Sequence, residues 1–102
     1  MIYEIRVYEA HEGKSDAMKA RFKTEVVKRF PNHGIELLGV FESESDASRL
    51  TYLTRFKSEE DRTKAWAAFG ADPEWVKVRT EMAVNVQVDN VFMSATDYGP
   101  LK

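Results

Sequence analysis

An α+β domain of ferredoxin-like βαββαβ plan, an antiparallel four-stranded sheet carrying its helices on one face, is what this 102-residue sequence predicts. Three observations predict it. Segments of period two stand at both ends and in the middle of the chain, two helical segments separate them, and no linker, repeat or low-complexity tract interrupts the series.

The first strand runs over residues 2–9, with Tyr3, Ile5 and Val7 on one side and Ile2, Glu4, Arg6 and Tyr8 on the other. His11-Glu12-Gly13-Lys14 breaks the alternation. Ser15-Asp16 is the expected N-cap of a helix whose apolar ridge is Met18, Phe22, Val26 and Phe30, and Pro31 is its expected stop. After the Asn32-His33-Gly34 turn, residues 35–41 read as a strand apolar on both sides, Ile35, Leu37 and Phe41 against Leu38 and Val40. A polar loop leads to a third strand over 50–56, so the two form a hairpin. Ser58 caps the next helix, with Ala65, Trp66 and Phe69 facing inward; Gly70 ends it, and Asp72-Pro73 opens another with the stripe Trp75, Val78 and Met82. In the last strand Val84, Val86 and Val88 alternate with Asn85 and Gln87. The apolar phase then changes to Val91 and Met93, which predicts a bulge at Asp89-Asn90.

Composition excludes several functions. Fifteen basic and seventeen acidic residues lack the cationic excess of a nucleic-acid binder, and no apolar run is long enough to span a membrane. With no cysteine there is no disulfide, thiolate metal site or Cys nucleophile. Two separated histidines, His11 and His33, make no recognisable zinc set, and His33 is expected to meet free carbonyls at the helix end. No metal and no cofactor is therefore expected. The Ile2-Tyr3-Glu4-Ile5 opening has no basic segment with an apolar core, so a mature cytoplasmic protein of bacterial type is expected.

Helices on one face of a sheet leave the other bare. The expectation is that Ile2, Tyr8 and the aliphatic groups of the second strand lie on the bare face, and that a homodimer forms sheet to sheet to bury them and enclose a cleft. Glu4, Arg6 and Tyr8, at alternate positions, would line that cleft. An Arg binds a carboxylate or enolate through its planar fork, a Tyr stabilises an oxyanion, and a desolvated Glu takes a proton; an internal Glu4–Arg6 ion pair is the alternative. Tyr52 and Thr54 on the third strand would complete the site.

Met1-Ile2-Tyr3-Glu4-Ile5-Arg6-Val7-Tyr8, Pro31-Asn32-His33-Gly34, Leu53-Thr54-Arg55-Phe56, Ala71-Asp72-Pro73-Glu74-Trp75 and the tail from Ala95 to Leu101 together resemble the NIPSNAP family over nearly the whole chain, residues 1–102 as one domain. The resemblance implies a dimeric α/β barrel. Where the family pattern has a His and a Trp on the third strand, this chain has Tyr52 and Thr54. The function expected from residues and resemblance together is small-molecule binding in the cleft of the dimer. The alternative is a cofactor-independent monooxygenase or isomerase acting on a phenolic or enolic substrate.

Overall fold

The computed structural model describes residues 1–84 and 86–101. Asn85, expected on the last strand, and Lys102 lie outside the described residues. The order of elements is β1 (Ile2–Ala10), α1 (Ser15–Arg21) running on through a π-helical stretch (Phe22–Val26) and a 3-10 stretch (Val27–His33), β2 (Glu36–Glu42), β3 (Arg49–Phe56), α2 (Glu59–Ala71), α3 (Pro73–Glu81) and β4 (Val86–Ser94). The four strands form one antiparallel sheet in the order β2-β3-β1-β4, with β1 and β3 in the centre. This is the expected α+β, ferredoxin-like arrangement.

The long first helix deviates from α geometry for a reason written in its spacing. Met18, Phe22, Val26 and Phe30 recur every four residues, and at 3.6 residues per turn such a ridge would swing about 40° per step away from the sheet. A π-helical stretch, closed i to i+5, takes up more residues per turn and cancels the swing. All four side chains are accordingly buried. Two expectations about this helix are corrected. Lys14, not Ser15 or Asp16, occupies the cap position and no side chain caps the helix. Pro31 does not stop it either: the proline sits inside the 3-10 stretch, which ends at Gly34 with φ +73°, a backbone that only glycine adopts without strain.

Pairing assigns the faces of the sheet, because residues directly opposite in an antiparallel ladder share a side. Glu4 stands opposite Thr54 and Phe92, Arg6 opposite Tyr52 and Asn90, and Tyr8 opposite Leu50 and Val88. Phe22 and Phe30 of the long helix pack on Tyr52, and Trp66 of α2 reaches Glu4, so this is the face the helices cover. The other face carries Tyr3, Ile5 and Val7 with Leu53, Thr51, Val91 and Met93; no helix covers it, but Tyr3 is buried there and Thr96, Pro100 and Leu101 line a cavity with Tyr3, Ile5 and Leu53, so it is bare only in part. Tyr8 therefore belongs under the helices rather than on the bare side, and Ile2, opposite Phe56 and Ser94, shares its face.

The irregularity expected in the last strand lies instead in β2, whose register shifts between Leu37 and Gly39; β4 pairs with β1 without a break from Val86 to Ser94. The shift puts Leu37 and Val40 on the helix-covered face, opposite Thr54 and Tyr52, and Phe41 on the bare face opposite Thr51. The core is aromatic: the Phe30 ring lies within 6.1 Å of those of Phe22, Tyr52, Trp66 and Phe69.

Candidate functional site

All five sequence-predicted site residues, Glu4, Arg6, Tyr8, Tyr52 and Thr54, come together on one face, in the two central strands. That face is the helix-covered one, so the site lies between sheet and helices and not between two sheets. The trio was placed by alternation, which tells which residues share a side but not which side the helices choose.

Glu4 is fully buried and is the hub. Arg62 donates from Nε at 3.2 Å and from Nη2 at 3.1 Å, the Trp66 indole at 2.8 Å, Asn90 Nδ2 at 3.0 Å and Arg6 Nη1 at 3.3 Å. Thr54, directly opposite, donates its hydroxyl to the Glu4 carbonyl at 3.3 Å. Burial alone pushes the Glu4 carboxyl up; the hydrogen bonds from Arg62, Asn90 and Trp66 and the charge of Arg6 outweigh it and hold the group below its ordinary range. A carboxylate has about four lone-pair sites, and these donors fill them. Glu4 is built as a counter-ion.

Arg6 projects from the same strand face and lies over Trp66, its guanidinium carbon 4.3 Å from the ring centroid. Its Nε is buried without a hydrogen-bond partner. Burial draws the guanidinium down, while Tyr52, Tyr8 and Glu4 beside it raise it further, so it stays charged. The hydroxyls of Tyr8 and Tyr52 meet at 2.8 Å. Tyr52 is fully buried, and burial pushes its phenol well above the ordinary value, so this hydroxyl stays protonated.

Two arginines thus share one carboxylate. The cluster opens along β4, an edge strand whose helix-side residues Val88, Asn90 and Phe92 are exposed, with Arg62 stacked 3.9 Å over the Phe92 ring. Sequence reasoning missed Arg62 and Asn90 and took Trp66 for core. Two signals marked them: Arg62 and Trp66 stand four apart on one helix face, and Asn90 is the polar residue at which the apolar phase of the last strand changes.

His33 does not meet free carbonyls. Its Nε2 lies 2.8 Å from Asp72 Oδ2, while Asp72 Oδ1 accepts from the backbone N–H of Glu74 and Trp75 and so caps α3. Among the described residues no group of three or more His, Asp or Glu side chains is arranged to hold a metal ion, and no helix is long and apolar enough to cross a membrane.

The family model for NIPSNAP matches residues 3–100. The chain belongs to the NIPSNAP family. A NIPSNAP family protein of unknown function from Agrobacterium tumefaciens is 28% identical, with a TM-score of 0.84 over 100% of this chain and 94% of that one. An uncharacterised NIPSNAP domain protein from Burkholderia xenovorans is 18% identical, with a TM-score of 0.84 over 98% and 99% of the two chains. The NIPSNAP chain is also similar in fold to an antibiotic biosynthesis monooxygenase, at 13% identity and a TM-score of 0.67 over 94% and 99% of the two chains. No curated protein matches the sequence.

Proposed function

We propose that this NIPSNAP chain binds a small organic anion on the helix side of β1 and β4, with the guanidinium of Arg6 as its anchor, and does so as a homodimer joined through the bare sheet faces. One observation carries the binding: Arg6 and Arg62 converge on the single carboxylate of Glu4, leaving one positive charge over, next to a buried Nε that has no partner. A buried unpaired donor costs free energy until something accepts from it. A carboxylate or phenolate entering over β4 meets the exposed part of the Arg6 side chain, and a small shift of the guanidinium lets its Nε donate as well, while Val88 and Phe92 offer the apolar part a floor.

The surface of the isolated chain supports the dimer. It exposes 6641 Å², about 750 Å² more than is usual for a monomer of 11.7 kDa. That excess is close to the roughly 800 Å² per partner of a standard interface. In this reading the dimer works in a bacterial cytoplasm, in keeping with the bacterial relatives.

The binding test is calorimetric titration of the protein with a panel of small aromatic carboxylates and phenolates, repeated on Arg6→Ala. We expect the variant to lose roughly tenfold or more in affinity, as removal of a charge-assisted hydrogen bond does. Equal affinity in the two proteins overturns the reading.

A second reading, isomerisation or oxygenation of a phenolic or enolic substrate, is favoured by the Tyr8–Tyr52 contact beside Arg6. These groups can stabilise an enolate. Glu4, with its lone pairs occupied, is not the base, and Tyr8 or the substrate itself would have to manage the proton.

A further inference from the structure

Arg21 lies on the last turn of α1 and is only 8% exposed. It stacks 5.6 Å over Trp75, and its Nη1 donates to the Met82 carbonyl over a long 3.4 Å. Among the described residues no carboxylate forms an ion pair with it. Its charged neighbour is another cation, Arg79 of α3, and neither arginine has an acidic partner there. Burial foremost, and then Arg79, pull the Arg21 guanidinium below its ordinary value, against the opposing effect of Tyr8. Arg21 and Arg79 line a cavity of about 350 Å³ with Trp75, Ala83, Val84 and Val86.

Two like charges brought together beside a cavity, one of them buried, are expensive unless an anion joins them. The place is also continuous with the proposed binding face. Val86 and Val88 are neighbours on the helix side of β4, opposite Ala10 and Tyr8, and Tyr8 interacts electrostatically with both Arg6 and Arg21. We infer that Arg21 and Arg79 form a second oxyanion subsite, at the far side of Tyr8 from Arg6, so that the ligand carries a carboxylate or phosphate group at each end of an apolar middle. The spanning of the two ends rests on the reading of Arg6 given above; the subsite itself does not.

The probes are inorganic phosphate and two matched series, straight-chain α,ω-dicarboxylates and the monocarboxylates of equal length, titrated at constant ionic strength. The readout is the arginine Nε–H signals by NMR. Phosphate is expected to shift the Arg21 signal saturably in the wild type and in Arg6→Ala, and to bind roughly ten- to a hundredfold more weakly in Arg79→Gln, an exposed position whose change leaves the fold intact. One dicarboxylate length is expected to bind at least about tenfold more tightly than its monocarboxylate, an advantage lost in Arg79→Gln. A linear, unsaturable phosphate response, or one unaffected by Arg79→Gln, overturns the subsite, and dicarboxylates no better than monocarboxylates overturn the spanning ligand. A phosphate response seen only after the dimer is dissociated means that a partner's carboxylate occupies the arginines, and also overturns the proposal. If Arg21 responds while Arg6→Ala changes no affinity, the subsite stands and the anchor role of Arg6 falls.

Discussion

Glu4 concentrates the electrostatics of the molecule at one side chain. Its carboxyl is held below the 4.5 of an ordinary glutamate, so its ionised form adds stability that is complete above that pH and is lost as the pH falls through the lower, folded-state value. Replacing it by Gln leaves Arg6 and Arg62, each about a fifth exposed, without their shared counter-ion, a loss of about 1.5–3 kcal/mol. We expect Glu4→Gln to lower Tm at neutral pH and to flatten the acid limb of Tm against pH; an unchanged acid limb would show that other carboxylates set it. Alternation made Glu4, Arg6 and Tyr8 legible as a set, and the third strand added Tyr52 and Thr54. Arg62, Trp66 and Asn90 were not legible as partners, because they meet Glu4 from 58, 62 and 86 positions away. Only the packing of α2 and β4 against β1 brings them in.

Among the elements, the junction of α2 and α3 is held by a single side chain. Asp72 caps α3 with one oxygen and meets His33 with the other, so it ties the end of the long first helix to the start of the third. Asp72→Ala removes both ties, and Tm is expected to drop by several degrees, while Asp72→Asn, which still caps, keeps part of the loss. Differential scanning calorimetry of the two variants checks this, and equal Tm values would mean that the cap contributes nothing. Asp72-Pro73 was readable as a helix start because a cap followed by proline is local chemistry. The partner of His33 was not readable, since the contact is tertiary. The π-helical stretch was present in the four-residue repeat, yet a ridge of that spacing is also an acceptable α-helical stripe, and only the sheet beneath it decides between them. The change of apolar phase in β4 was real, but its cause was a burial pattern, Asn90 turned inward to Glu4 while Val91 turned to the bare side. It was not a kink in the chain.

For the whole molecule, element order sufficed to foresee helices on one side of the sheet and none on the other, though not that Tyr3 would be buried there beside the tail. Which residues occupy that side did not follow from alternation, since both faces of β1 carry apolar groups. Val91 and Phe41 stand on it, 56% and 58% exposed in the isolated chain. We expect Val91→Asp to convert a dimer to a monomer in sedimentation equilibrium while far-UV circular dichroism stays unchanged, because a charge at an exposed site costs the single subunit little, on the order of 0.5 kcal/mol. A wild-type protein that sediments as a monomer would remove the dimer from the proposed function.

The two borders of the sheet are not equivalent. Along β2 the hydrogen-bonding groups fall out of step at mid-strand, between Leu37 and Gly39, and the strand begins and ends on the acids Glu36 and Glu42. An extended segment of another chain that began to zip onto this border would lose its ladder at the irregularity and meet an ion pair at either end, Glu36 with Arg55 and Glu42 with Lys19. Runaway stacking of strands into fibrils therefore has no foothold on the β2 side, and the irregularity serves as a guard against it.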